Sequence, residues 1–425
     1  MISLYPHQQE ALEQTKNFSN IAVYHDMGLG KTFTGSEMMK RFGCRNNLII
    51  CQKSKIDDWF NHFCTNYSGQ GYSFLKLTNK GELEYFMEDT PLLKKVGIIN
   101  YELVWRRKEL LALHDFTLML DESSLIQNYK AKRTKFILKL TPAHVILLSG
   151  TPVGGKYENL WTQAHLLGWE ISKKRYDSRY VNWQLLNVGS RFVRIVDKTN
   201  PYRNTDELKR KLRQHGAVFK KTEEVIDLPE QVFTEVKIKR PSKYYQFIED
   251  GIVKVDDTEL VGDTSLTKLL YDRQICGKYS DEKLTAFKDL VESTNDRLIV
   301  FYSFDKELMK LKRVCDDLHR PTSEINGHTK DLTAYEQESN SVTLCQYQSA
   351  SKGLNLQKCN KIIYFSLPLS SEDFEQSKKR IHRIGQEQTC FYYLMICQDT
   401  VERNILKTLR SRKDYTDELF KEEFK

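Results

Sequence analysis

Short apolar runs separated by longer amphipathic stretches recur along this chain, and that rhythm restricts the fold more than any other feature. IAVYH (from Ile21), NLIICQ (from Asn47), SFLKLT, VGIIN, FTLMLDE and HVILLSG each read as a strand. Helices are expected between them, one running through Arg41 and one holding Trp59 and Phe63. Strands that are apolar throughout, with no polar alternation, are buried on both faces, which is the signature of a parallel sheet covered by helices. The rhythm lapses between Glu158 and Glu230, which reads as helical and basic. LPEQVFTEVKIKR then reads as a pair of extended segments, and VDDTELVGD as a surface turn. The rhythm restarts near Lys283 with RLIVFYSF, SVTLCQYQ, NKIIYFSLP and CFYYLMICQ as strands. The helix SEDFEQSKKRIHRI precedes the last of these, and a final helix is expected from Thr400 to about Arg412.

The expected class is α/β, with a first lobe over residues 1–230, a connecting segment over 231–280 and a second lobe over 281–425. A length of 425 residues suits two domains rather than one. The formal net charge of +8 suits a polyanionic partner. Nine cysteines occur without a C-x-x-C pair, which argues against a metal cluster or a disulfide framework and fits a reducing compartment. MISLYPHQQEALEQ contains no apolar signal run, and no stretch of 18 uninterrupted apolar residues occurs. A cytoplasmic protein without a membrane span is therefore expected.

Three strand ends carry chemistry. Gly28, Gly30, Lys31 and Thr32 lie between a strand and a helix. Glycines there let backbone N–H groups approach phosphate oxygens, a lysine reaches the terminal phosphates and a threonine holds Mg²⁺. The strict G-x-x-x-x-G-K-T pattern fails because His25 occupies the first glycine position. Asp121 and Glu122 close the run FTLML. Carboxylates at the C-terminal edge of a parallel strand sit beside the ligand crevice, where one holds a metal ion through water and the other orients and deprotonates the attacking water. A surface turn with an acidic start would look the same locally. Ser149 and Thr151 in LLSGTP offer hydroxyls at the next strand end, placed to sense those carboxylates. Near the other end of the chain, Arg380 and Arg383 are three apart in KKRIHRIGQ. On a helix they share a face, and two adjacent guanidiniums call for an anion.

In this order the motifs resemble the helicase-like ATPases of superfamily 2, and within them the Swi/Snf-type double-stranded DNA translocases. LYPHQQEAL resembles that family's adenine-sensing segment, with Gln8 as reader, and DMGLGKT its phosphate loop, which also lacks the first glycine. LIICQKSKIDDWFNHF places Trp59 at the family's tryptophan position; DESS and LSGTP match the DE-containing and coupling motifs. RLIVFYSF, SASKGLNLQKCNKIIYFSLPLS and EQSKKRIHRIGQ match the second lobe, the last being the arginine-finger helix. The likeness spans about residues 1–410. It departs at Ser124, where many relatives have His or Gln, and at His25, where an acidic residue is common.

The resemblance implies two tandem RecA-like domains, each a mostly parallel sheet flanked by helices, with an ATP cleft between them. It implies a DNA-stimulated ATPase using ATP and Mg²⁺. Lys31, Asp121, Glu122, Arg380 and Arg383 would be catalytic. Gln8, Gly28, Gly30, Lys31, Thr32 and Gln376 would bind nucleotide, Thr32 and Asp121 would hold Mg²⁺, and Ser149 and Thr151 would couple. Lys53, Ser54, Ser349, Ala350, Lys352 and Gly353 would contact the DNA backbone of a duplex or branched substrate. The expected activity is translocation on duplex DNA. The alternative is a strand-separating or branch-migrating helicase of the same superfamily, acting at forks or junctions. Compactness suggests a bacterial or bacteriophage motor, with replication or recombination proteins as further partners.

Overall fold

The structure, a computed structural model, describes residues 2–89, 93–189, 191–255, 258–350 and 355–420. Two compact units divide at Val225 and Ile226. The first contains strands β1 (Asn20–His25), β2 (Asn46–Cys51), β3 (Tyr72–Lys76), β4 (Lys94–Asn100), β5 (Thr117–Asp121), β6 (His144–Leu148), β7 (Trp183–Val188), β8 (Arg191–Val196) and β9 (Ala217–Lys220). Seven of them form one sheet in the order β3-β4-β2-β5-β6-β1-β9, and every pairing in it is parallel. The apolar strands explain why. Ala22, Tyr24, Leu48, Ile50, Leu118, Leu120, Val145 and Leu147 enter one buried cluster. Ile21, Val23, Ile49, Cys51, Met119, Ile146 and Leu148 enter another. Alternate residues thus feed opposite faces, and each face finds its own helical cover.

The second unit contains β10 (Gln231–Ile238), β11 (Ile252–Val255), β12 (Thr258–Val261), β13 (Leu298–Tyr302), β14 (Thr322–Ile325), β15 (Lys330–Asp331), β16 (Val342–Gln346), β17 (Lys361–Tyr364) and β18 (Cys390–Cys397). Its sheet order is β10-β18-β17-β13-β16-β14-β15, parallel except for the last pair. The same alternation recurs, with Leu298, Val300 and Tyr302 in one cluster and Ile299 and Phe301 in the other. Among the described residues no helix is long and apolar enough to cross a membrane.

Four local expectations differ from the structure. The stretch read as helical and basic contains an antiparallel hairpin, β7–β8, six residue pairs long. Its β-branched and aromatic content suits strands, and Gly189, at φ 62°, supplies the left-handed turn residue. LPEQVFTEVKIKR gives one strand rather than two, because β10 pairs along its whole length with β18. That pairing puts the start of the 231–280 segment at the edge of the second sheet. The acidic stretch read as a surface turn carries the hairpin β11–β12. Finally, the C-terminal helix Val401–Phe420 runs beyond Arg412.

Candidate active site

The order β2-β5-β6-β1 brings the C-terminal ends of adjacent strands together, and the first unit's candidate residues sit there. The chain leaves β1 at His25, makes a loop, and enters the helix Lys31–Phe42. Gly28 (φ 86°) and Gly30 (φ 69°) both take left-handed backbone, which explains glycine at each. Several side chains grip the loop's carbonyls. His7 Nε2 is 2.9 Å from Leu29 O, and Gln8 Nε2 donates to Gly30 O at 3.0 Å. Lys31 Nζ donates to His25 O at 2.9 Å and to Asp26 O at 3.2 Å. Among the described residues no side chain caps the N-terminus of the Lys31–Phe42 helix. The uncapped helix start leaves backbone N–H donors suited to an anion.

Gln8 is buried, and its Oε1 also accepts from Tyr5 N at 2.9 Å, so its amide is engaged within the chain. A Cβ on Gly30 would collide with Gln8 Nε2, a second reason for glycine at that position. His25, at the mouth of the loop, is 2% exposed. Burial, reinforced by the charge of Lys31, lowers its imidazole to about 3, so it is neutral near pH 7.

Asp121 is the last residue of β5, and Glu122 follows in left-handed backbone, φ 54°. Trp59 Nε1 donates to Asp121 Oδ2 at 2.8 Å. Burial pushes the Asp121 carboxyl up, while the Trp59 hydrogen bond and the Lys31 charge pull it down. Tyr101 Oη donates to Asp121 O at 2.9 Å and holds the turn. Ser149 follows β6 and is fully buried. Its Oγ accepts from Thr151 N at 3.2 Å, whereas Thr151 Oγ1 is buried with no hydrogen-bond partner among the described residues. A Cβ on Gly150 would lie 3.4 Å from Lys31 Nζ, which puts the β6 end directly against the lysine.

In the second unit, Gln376 is buried on the helix Ser371–Lys378, its Nε2 donating to Glu372 Oε1 at 3.2 Å. That helix stops before the arginines, so Arg380 and Arg383 lie in turns beyond it rather than on a shared helical face. Beyond the helix the backbone is held by other partners. Arg380 O accepts from Leu356 N at 3.1 Å. Gln386 Nε2 donates to Gln357 O at 3.1 Å, Cys359 O at 3.0 Å and Ile381 O at 3.3 Å, tying the turn after the arginines to the 357–359 segment. Arg380 is buried and Arg383 half-buried. Burial lowers the pKa of the Arg383 guanidinium, and its Nε has no hydrogen-bond partner among the described residues.

Lys53 and Ser54 are exposed in a 3₁₀ turn directly after β2, at the same strand-end edge as the phosphate loop. Ser349 is half-buried and Ala350 ends the short helix Tyr347–Ala350 in the second unit. Lys352 and Gly353 lie outside the described residues.

The SNF2-related domain model matches residues 7–277, and the helicase conserved C-terminal domain model matches residues 282–385. The chain belongs to the SNF2-related family. Its relatives include the Bacillus subtilis (strain 168) protein named uncharacterized ATP-dependent helicase YqhH, 22% identical over 95% of this chain and 77% of that protein. A Xenopus laevis protein, SWI/SNF-related matrix-associated actin-dependent regulator of chromatin subfamily A-like protein 1, is 21% identical over 94% of this chain and 42% of its own length. Among solved structures, the Sulfolobus solfataricus SWI2/SNF2 ATPase core in complex with dsDNA matches with a TM-score of 0.46 and 18% identity, covering 98% of this chain and 92% of that one.

This SNF2-related chain is an ATPase, a nucleotide-using enzyme of the helicase type. Its structure adds a residue that sequence reasoning missed. Gln163, fully buried, accepts at Oε1 from Ser123 Oγ (2.8 Å) and Tyr24 Oη (3.0 Å), and donates from Nε2 to Pro152 O (2.7 Å). One amide therefore ties together the segment after Asp121–Glu122, the strand feeding the phosphate loop and the segment after Ser149. A single glutamine in a helix gives no sequence signal; only the contact from β1, β5 and β6 at once reveals it.

Proposed function

We propose that this chain is an ATP-driven DNA motor that moves along duplex DNA without reading its sequence. The observation that carries this reading is the convergence of Lys31, Asp121 and the 149–152 segment at neighbouring strand ends, in a chain of the SNF2-related family. The donor set fits ATP. Lys31 rests on two neutral carbonyls, which it can leave for phosphate oxygens on its flexible stem. N–H groups at the start of the Lys31–Phe42 helix face the same ligand.

Thr32 and Asp121 would hold Mg²⁺, which when bound offsets phosphate charge. Glu122, turned by its left-handed backbone, orients the attacking water and accepts its proton. Trp59 fixes which oxygen of Asp121 remains available. Arg380 and Arg383 stabilise charge that develops during phosphoryl transfer. Gln163 keeps the hydrolytic strand end and the 149–152 segment in one hydrogen-bonded unit, so a change at one is felt at the other.

Support for DNA as the partner comes from the helicase-type match of the second unit, from relatives named helicases and from the net charge of +8. Lys53, Ser54 and Ser349 would contact backbone phosphates, giving binding that weakens with salt. The test is ATP hydrolysis without DNA and with single-stranded, plain duplex and branched DNA. Stimulation greatest with plain duplex is expected; turnover indifferent to every DNA would sink the reading. Strand separation at forks is the second reading, and the exposed β7–β8 hairpin favours it.

A further inference from the structure

A carboxylate stands in a loop shaped to receive an anion. Asp26 is the one acid between His25 and Ser36, the stretch that also holds Gly28, Gly30 and Lys31. Two full charges attract more strongly than a charge and a carbonyl dipole. The Asp26 carboxylate is therefore a better resting place for the Lys31 ammonium than a neutral oxygen nearby. Lys31 Nζ comes within 3.2 Å of the Asp26 carbonyl. Yet among the described residues it rests on that carbonyl and on His25 O, and forms no ion pair with the carboxylate.

Thr222 explains where the carboxylate goes. Strand β9 runs parallel to β1, with Lys220 opposite His25. Asp26 N donates to Lys220 O at 2.9 Å, which brings the start of the loop against the end of β9. Two residues on, Thr222 Oγ1 donates to Asp26 Oδ2 at 3.0 Å, and Thr222 N donates to the same oxygen at 3.4 Å. The threonine is itself held. It is buried and opens the 3₁₀ turn Thr222–Glu224, in which Lys221 N donates to Glu224 Oε1 at 3.2 Å. A second tie runs beside it. Lys220 Nζ meets Glu10 Oε2 at 2.9 Å, and Glu10 lies on the helix Pro6–Gln14, whose His7 and Gln8 grip the far end of the loop. The end of β9 thus holds the loop directly at Asp26, 196 positions earlier in the chain, and indirectly through Glu10.

We propose that Thr222 is a positioning residue for nucleotide binding: its hydroxyl keeps the Asp26 carboxylate against the end of β9, and so leaves Lys31 on neutral carbonyls that phosphate can displace. This rests on the reading of Lys31 as the phosphate-binding lysine. Without the hydroxyl, the carboxylate competes with phosphate for the ammonium and adds negative charge beside it. The loss falls on nucleotide binding in the ground state and the transition state alike, so KM rises while kcat holds.

The experiment measures nucleotide affinity, KM for ATP, kcat and thermal unfolding in the full chain. Thr222→Val keeps the shape and removes the hydroxyl. It should weaken nucleotide binding and raise KM by about tenfold, with kcat within about twofold. Thr222→Ser keeps the hydroxyl and should match the wild type. The deciding variant combines Thr222→Val with Asp26→Asn, which removes the competing charge and should restore both affinity and KM. Thr222→Ala also lacks the hydroxyl and should follow Thr222→Val; it is read in its place where the valine chain does not fold. Unchanged KM in Thr222→Val overturns the proposal. A raised KM that Asp26→Asn does not restore also overturns it, because the threonine then only shapes the loop. If Lys31→Ala binds nucleotide as tightly as the wild type, the reading of Lys31 falls and the role of Thr222 with it. Loss of binding there, beside an unchanged Thr222→Val, removes the role of Thr222 alone.

Discussion

The phosphate loop and the arginine turn are both short irregular segments pinned by side chains that bind backbone carbonyls. His7, Gln8 and Lys31 hold the first, and Gln386, with backbone support from Leu356, holds the second. They differ in what their cations do at rest. Lys31 sits on neutral carbonyls that it can exchange for another acceptor. Arg383 is half-buried, its Nε lacks a partner among the described residues, and desolvation weakens its hold on the proton. The lysine is parked, whereas the arginine is kept under an unpaid electrostatic cost that an anion would relieve. A parked cation serves binding and transfer alike; an uncompensated one is worth most where new charge appears.

Substitution at the two positions should break that comparison apart. Lys31→Ala should give the largest effect, a fall in ATP turnover of roughly a thousandfold or more together with weaker nucleotide binding. Arg383→Ala should cut turnover by about a thousandfold, with nucleotide affinity nearly unchanged and the unfolding midpoint equal or higher, since a partly desolvated charge is removed. Equal losses of affinity in both variants, measured by nucleotide titration, would erase the distinction.

Gln163→Leu should come next. It leaves the Ser123 and Tyr24 hydroxyls and the Pro152 carbonyl without their partner, at a cost of about 3 kcal/mol, read by denaturant unfolding. Gln163→Glu keeps the two accepted bonds but turns the donor to Pro152 into an acceptor, so it should recover part of the stability and little of the turnover.

Trp59→Phe sharpens the comparison from the acidic side. Its Nε1–H is what holds the Asp121 carboxyl down against burial. Turnover should fall about tenfold, and the acidic limb of the pH–rate profile should move to higher pH. A profile that stays where it was would mean that Asp121 does not govern that limb.

The smallest effect concerns pH and stability. His25 is lowered to about 3 and His62 to about 4, both by burial. In each case the folded chain holds the neutral ring and the unfolded chain takes the proton first. Stability is therefore intact above about 6.5 and is lost progressively as pH falls from there towards 4 and 3. His25→Asn should flatten that slope in unfolding curves taken from pH 7 to pH 4.

The sequence by itself determined the two α/β repeats, because strands buried on both faces must be apolar throughout, as in IAVYH and RLIVFYSF. It also located Lys31, Asp121 and Ser149, since a parallel sheet delivers chemistry at strand ends and those ends can be read from the apolar runs. Only the tertiary structure decided the rest. Arg380 and Arg383 share a helical spacing, yet the helix ends at Lys378, and beyond it Arg380 O accepts from Leu356 N and Ile381 O from Gln386 Nε2. Gln163 matters through three partners that lie 139, 40 and 11 positions away along the chain, and no local pattern encodes such a meeting. The β7–β8 ribbon was hidden because helix and strand propensities of a short basic stretch differ little, and its register with a well-anchored base settled the matter. What sequence periodicity records is burial; which polar groups meet once the faces are buried is a property of the folded chain.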